Sequence, residues 1–584
     1  MRAPFASGRP PAMRPCGRRR VGAAGLSLVL LPAFITWVPS SDPAVADMPA
    51  VDQPGFFTDV SQKLGLDFVH DPGVEGGYFM PESLAGGGAF LDYDGDGDLD
   101  IYLINGAYRD PAKRKAQPLR NRLFRQESDG TFRDVTDAAG IGDQGFGMGV
   151  AVGDIDNDGD PDVYVANFGP DALYRNNGDG TFSDVSQAAG IRNPAWSSSA
   201  LFFDYDLDGD LDIYVANYLA WDRHVPCFDR AGKPDYCGPK VYAGVAGVLY
   251  RNNGNGTFSD VSASAGIARA PSKGLGVTTA DFDANGFPDV FVANDGEPNQ
   301  LWLNQGDGTF REGALLLGLA VDSLGSAGAG MGVALGDADG DGDLDLYVTQ
   351  LANENNDFFR NLGKTGFAED TASARLIGPD RALTGFGTGF FDFDNDGDLD
   401  LAVVNGRILR GPLLTGGTAP GYWDHYAEPN LLFENEGGGA FTNVSSRSGA
   451  FGSLIETSRA LAFGDVDNDG DVDLLVVNAG GRARLLRNDV AGKGHWLLVS
   501  AIDPRLRRDA FGARITVFAE GRTLHRIVAP AYSYLSSSDP RVHFGLGPAR
   551  RVERIEVRWP DGRLERFPGG PVDRLITLRR GEGR

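Results

Sequence analysis

The residues best placed to do chemistry in this 584-residue chain are aspartates set two apart. In DYDGDGDLD, Asp92, Asp94, Asp96, Asp98 and Asp100 alternate with small or apolar residues, and Gly97 holds the sixth position. A turn at that glycine points alternate carboxylates inward, where they repel one another unless a cation sits among them. A cage of hard oxygen donors with no His or Cys suits calcium. The D-x-D-x-D-G core is shared with the calcium loop of helix–loop–helix proteins. That loop ends on a glutamate at its twelfth position, and Leu103, Val165 or Val215 stands there instead. Position 9 must then supply the last carboxylate, with position 7 lending its backbone carbonyl.

The stretch is written seven times, at intervals of 50 to 77 residues. Loop 1 is the one above. Loop 2 carries Asp154, Asp156, Asp158, Asp160 and Asp162, and loop 3 carries Asp204, Asp206, Asp208, Asp210 and Asp212. Loop 4 departs from the pattern: Asp281, Asp283 and Asp289 remain, Asn285 takes position 5, and Phe287 and Pro288 follow. Loop 5 has Asp337, Asp339, Asp341, Asp343 and Asp345; loop 6 has Asp392, Asp394, Asp396, Asp398 and Asp400; loop 7 has Asp465, Asp467, Asp469, Asp471 and Asp473. Together they hold 33 aspartates. Up to seven structural Ca2+ ions are expected, each pinning one turn, with loop 4 the weakest site.

The flanking segments must position these loops. Each loop follows a strand of glycine or small residues, such as GMGVAVG, SSSALFF or GFGTGFF, and precedes an alternating strand such as IYLIN, VYVAN or LLVVN. It joins strands, not helices. A second motif, LYRNNGDGTFSDVSQAAGI at 173–191, has relatives at 123, 249, 301, 358 and 432 and reads as strand, glycine turn, strand. Each unit then has four strands, and seven such units predict a propeller. Small residues suit the innermost strands, which converge on one axis. The array begins with half a hairpin, FFTDVSQKLGL at 56–66, and ends with the complementary half, RLLRND at 484–489. Pairing the two closes the ring and removes an open edge.

The net charge is −26, yet 42% of residues are hydrophobic and patterned, which disfavours disorder. Arginines run to Arg20, an apolar run covers 21–38, and AVA at 44–46 offers small residues for cleavage. Residues 1–46 read as a signal peptide, with an uncleaved membrane anchor as the rival. After cleavage no segment is long and apolar enough to span a membrane. Export places Cys227 and Cys237 in an oxidising compartment and predicts a disulfide between them. A two-cysteine metal site is the rival, with only His224 nearby.

No catalytic constellation is visible: no H-E-x-x-H, no G-x-S-x-G and no phosphate-binding glycine loop. The six histidines, His70, His224, His425, His495, His525 and His543, are scattered. The candidate ligand face is a ring of amides that end the post-loop strands: Asn105, Asn167, Asn217, Asn294, Gln350, Asn405 and Asn478. The same residues also terminate strands well, and both readings stand. Insertions at 218–246 and 406–428, with Trp221, Tyr236, Tyr422 and Trp423, are expected to crown one face.

The repeats resemble FG-GAP (VCBS) repeats. FGARITVFAEG at 511–521, SYLSSSDPRVHFGLG at 533–547 and IEVRWPDG at 555–562 resemble the ASPIC–UnbV domain. The combination resembles the cartilage acidic protein family and its bacterial relatives. One departure is Arg407 after Asn405-Gly406, where relatives often have a histidine. The expected fold is all-β: a seven-bladed propeller over 55–489 and a small β domain over 493–582. The region 490–584 has 18 basic and 10 acidic residues, so it is expected to dock on the acidic propeller, packing on the last blade through Trp496 and Leu498; a polyanion-binding face is the alternative. The expected function is a secreted, periplasmic or cell-surface calcium-binding module, monomeric, for adhesion to an extracellular or envelope protein or carbohydrate. The alternative is an enzyme or accessory protein acting on a polysaccharide or secondary metabolite. Nucleic acid is not an expected partner for so acidic a chain.

Overall fold

The computed structural model describes residues 55–228, 232–419 and 421–584. The expected signal peptide lies outside them. Within them the chain forms seven sheets of four antiparallel repeat strands, each running inner strand, acidic loop, second strand, then an outer hairpin. The inner strands are Gly88–Leu91, Gly147–Gly153, Ser197–Phe203, Gly274–Ala280, Val333–Gly336, Gly385–Phe391 and Ser458–Gly464, and each packs on the next around a closed ring. We number the blades 1 to 7 in that order, so that blade and loop numbers agree.

The ring closes as the two half-hairpins require. Phe57–Asp59 pairs antiparallel with Arg484–Asn488, Phe57 opposite Asn488, to complete blade 7. Crowding at the axis explains the small inner residues. A Cβ on Gly332 would lie 2.1 Å from the Phe386 carbonyl oxygen, and one on Gly149 would lie 2.5 Å from that of Ser198. Apolar side chains of neighbouring blades interdigitate between the sheets, as do Phe90, Ile101, Leu475 and Leu485 between blades 1 and 7.

The C-terminal part is a sandwich of two sheets. His495–Asp503 pairs with Arg508–Asp509, Val542–Gly547 and Arg574–Arg579; Arg514–Ala519 lies between Arg522–Ile527 and Arg551–Arg558, with Leu564–Pro571 at the edge. Its core includes Leu497, Val517, Phe544 and Trp559. LERFPGGP forms that edge strand, and an edge tolerates Pro568 because one side needs no donor.

The tail does more than pack on the last blade. Trp496 does cover Gly470 of loop 7, but the segment 529–539 enters the axis and bonds to every inner strand. Ser536–Ser537 pairs parallel with Gly88 and Ala89 of blade 1. Val150 of blade 2 donates to the Leu535 carbonyl, and Leu535 donates to Ser199 Oγ of blade 3. Thr278 of blade 4 donates to the Ala531 carbonyl at 3.0 Å, and Val333 of blade 5 exchanges two bonds with Ser533. Thr388 of blade 6 donates to Ser533 Oγ, and Phe463 of blade 7 donates to Ser538 Oγ and accepts from Asp539. Tyr534, fully buried, reaches through to the Leu84 carbonyl. The motif SYLSSSDPR is therefore an axial plug. Ser533 and Leu535 take positive φ within it, a conformation held by the surrounding ring.

Candidate functional site

Each acidic loop is built the same way. In loop 2, Asp154 Oδ2 accepts from the Gly159 amide at 2.9 Å, Asp160 donates to Asp158 Oδ1, and Asp162 accepts from Ile155 and Asn176. The turn therefore folds around its own carboxylates. Carboxylate oxygens of positions 1, 3 and 9 lie within 4.8 Å of one another at Asp154, Asp156 and Asp162, at Asp204, Asp206 and Asp212, at Asp281, Asp283 and Asp289, and at Asp337, Asp339 and Asp345; in loop 1 the group is Asp92, Asp94 and Asp96. Buried oxygens of Asp204, Asp206 and Asp337 have no hydrogen-bond partner. Burial pushes the position-9 carboxyls up, Asp100 to about 8 and Asp212 to about 9. Hard oxygen donors converging on one point, some of them without a hydrogen-bond partner, fit a divalent cation such as calcium.

Position 7 plays another part. Asn157 donates to Asp210 Oδ1 of the next loop at 2.8 Å, Asn395 to Asp471 at 2.8 Å, and Asn468 to Asp98 at 3.3 Å. Position 4 of one loop thus latches position 7 of the next, between loops 2 and 3, 6 and 7, and 7 and 1. These asparagines have φ near +60°, which Asn tolerates better than most residues. The repeated D-N-D spelling of loops 2, 6 and 7 was the available signal. Asn285 keeps the position-5 geometry, accepting from Phe287 at 2.8 Å while its amide donates to the Asn304 carbonyl.

Tail residues sit among the loops. Lys493 pairs with Asp471, Arg522 with Asp398, and His543 contacts the Gly470 carbonyl at 3.0 Å. A cavity of about 110 Å³ remains here, lined by Asp392, Asp465, Arg526, Asp539, Arg541 and His543.

The amide ring is not a displayed ligand face. Asn105, Asn167, Asn217, Asn294, Gln350, Asn405 and Asn478 are all buried. Their amides brace the chain after each strand: Asn294 donates to the Pro298 carbonyl, Asn405 to Pro429 and Asn478 to Arg482. Burial at the blade ends forces these polar groups to find local partners.

That face is instead crowned by the insertions. Cys227 and Cys237 are disulfide-bonded. Next to the bridge, Tyr236 donates to Glu82 at 3.1 Å and meets Tyr422 of the second insertion at 3.1 Å. Tyr78, Tyr422, Trp423 and Tyr426 pack around it. Glu82 is fully buried, with Oε1 unpartnered, and burial raises its carboxyl to about 7 despite the tyrosine. Arg459, also fully buried, donates to the carbonyls of Ser83, Gly406, Ser458 and Arg407 and lies over the Phe386 ring. No repeat predicts them: Glu82 precedes the first inner strand, and Arg459, though on the inner strand of blade 7, finds its partners at Ser83, Gly406 and Arg407 outside the repeated pattern.

A ring of four-stranded sheets, each turned by an acidic loop around a plugged axis, is a β-propeller. The FG-GAP-like repeat family matches residues 92–165, 154–215, 228–292, 281–348 and 421–476, more than half of the chain, and the ASPIC and UnbV family matches 503–584. The chain belongs to the FG-GAP-repeat proteins that carry an ASPIC and UnbV domain. It is similar to cartilage acidic protein 1 of Xenopus tropicalis, 28% identical over 54% of this chain and 38% of that one, and of Homo sapiens, 28% identical over 59% and 51%. The matched region spans two fifths to one half of those relatives' length. Among solved structures, an Agrocybe aegerita lectin recognising non-reducing terminal N-acetylglucosamine is similar at 16% identity over 64% of this chain and 85% of that one, with a TM-score of 0.36.

Proposed function

We propose that the protein is an exported, calcium-stabilised binding module whose ligand, an extracellular or envelope protein or carbohydrate, docks on the crown face. The observation that carries this reading is a group of exposed apolar side chains on the two insertions. Phe228, Val241, Leu409, Leu413 and Tyr422 are exposed on the two insertions, where apolar groups facing water mark interaction sites. The opposite face is covered by the tail, and the axis is plugged, so a ligand reaches a face, not a channel. Calcium in the acidic loops supports the scaffold, with positions 1, 3, 5 and 9 as ligands. The disulfide beside Tyr236 supports export to an oxidising compartment. Among the described residues no helix is long and apolar enough to cross a membrane.

The test is a binding screen of the purified protein against glycan arrays and envelope extracts, with calcium and with chelator. Phe228→Ala and Tyr422→Ala should abolish capture while leaving the melting temperature within a few degrees. Capture unaffected by both substitutions would move the ligand off the crown.

A further inference from the structure

Among the described residues, six of the seven acidic loops have a guanidinium beside their carboxylates, and one has none. Two separate sources supply them. The third strand of blades 1, 2, 3, 5 and 7 carries Arg125, Arg175, Arg251, Arg360 and Arg487 at one equivalent position. Arg360 pairs with Asp339, the third-position aspartate of its own loop; Arg125 and Arg487, ion-paired with Glu127 and Asp489, and Arg175 and Arg251 lower the charge burden on Asp94, Asp467, Asp156 and Asp206.

The tail supplies the second set, and each of its members serves two loops. Arg508 lies between loops 2 and 3: it donates to Asn157 Oδ1 at 3.0 Å and to the Gly209 carbonyl at 2.9 Å, with Asp154 and Asp204 on either side. Arg526 lies between loops 5 and 6, donating to the Gly397 carbonyl at 3.2 Å and facing Asp337 and Asp392. Arg541 lies between loops 7 and 1: it is ion-paired with Asp539 of the tail at 2.8 Å, donates to Asn468 Oδ1 at 2.6 Å and the Asp465 carbonyl at 2.8 Å, and bears also on Asp465 and Asp92. Blade 6 has Glu434 where other blades have arginine, and there the tail adds Arg522 on Asp398.

Blade 4 stands outside both sets. Its strand position is Leu303, no basic group is among the main influences on Asp281 or Asp289, and Asp281 is the one exposed first-position aspartate of the seven. A buried guanidinium offsets carboxylate repulsion much as a bound cation does. We propose that the strand and tail arginines are built-in counter-cations that keep six loops folded without metal, leaving loop 4 as the one loop whose shape follows cation supply. The inference rests on the reading of the loops as cation sites, and it assigns them two different duties: six scaffold turns and one responsive turn.

Hydrogen exchange of the full-length protein, read by mass spectrometry after chelation and then with added Ca2+, tests it. In the metal-free protein, amides of 281–289 should exchange on the order of tenfold faster than those of the other six loops. Arg508→Met should raise exchange in loops 2 and 3 part of the way toward loop 4, since Arg175 and Arg251 remain, whereas Arg508→Lys, which keeps the charge, should protect them; a role in shape alone would treat the two alike. Leu303→Arg provides the converse, protecting loop 4 without metal, and does not depend on a destabilised variant. Equal exchange in all seven metal-free loops, or an Arg508→Met protein with loops 2 and 3 unchanged, overturns the proposal. Failure of Ca2+ to slow loop 4 overturns the cation reading instead, since the comparisons between metal-free loops stand without it.

Discussion

The two faces of the propeller are closed by opposite chemistry. On the loop face, carboxylates repeated seven times meet arginines from a basic tail, and nearly every charge has a counter-charge or awaits a cation. On the crown face, tyrosines and tryptophans close over Glu82 and Arg459, which are buried with no ion-pair partner among the described residues. The difference teaches where each design is written. The loop face is encoded by repetition, so any one loop explains the others. The crown is encoded by two insertions found once each, so its contacts depend on what the fold brings together.

The largest expected effect tests what joins the two faces. Tyr534 runs through the axis from the tail to the crown-side Leu84. Tyr534→Ala should cost about 4 kcal/mol, the usual range for emptying a buried aromatic site, and chemical denaturation should show tail and propeller losing cooperativity. Unfolding unchanged in midpoint and slope would mean that the plug is a passenger.

Next comes the pH response, which should belong to the crown. The Glu82 carboxyl is raised to about 7 by burial, so the folded state holds its proton more tightly than the unfolded chain does. Stability from this group is therefore full below the ordinary pKa near 4.5 and falls as pH rises through 7, by up to about 3 kcal/mol. Glu82→Gln should flatten that part of the stability–pH curve in calcium-saturated protein. A curve with the same slope in the variant would place the titration elsewhere.

Much of the loop face was legible beforehand, because a period survives in the sequence whatever the tertiary context. The four-strand unit and the closing of 56–66 onto 484–489 followed from the repeat, and the cysteine pair from export to an oxidising compartment. The amide ring misled because Asn105 and its equivalents recur as regularly as the aspartates, and periodicity does not distinguish a displayed ring from a buried one. The plug was hidden for a different reason. SYLSSSDPR is polar and turn-like in isolation, and its strand partners lie as much as 448 positions away in the chain (Ser536 to Gly88). Arg508, Arg526 and Arg541 read as surface charge until the tail is seated on the loops.

A smaller effect would sharpen the crown further. Replacing Cys227 and Cys237 with serine should cost about 2 to 3 kcal/mol, as expected for a short closed loop, and should weaken ligand capture without altering calcium uptake. Free thiols at both positions in protein recovered from an oxidising compartment, found by mass spectrometry without reductant, would remove the bridge from the account.

The smallest difference lies within the loops. Asp396→Ala should lower the calcium-bound melting point more than Asn285→Ala, by the equivalent of about 1 kcal/mol, because loop 6 commits more carboxylates than loop 4. Equal losses would show that the seven loops contribute alike.

Calcium is the central claim, and calorimetry tests it most directly. The full-length protein should be scanned in saturating Ca2+ and again in chelator at matched ionic strength. An ion held only by the folded state contributes about 2.7 kcal/mol per site at a hundredfold excess over its dissociation constant, so the calcium-loaded protein should melt several degrees higher. Identical melting curves under the two conditions would contradict the account.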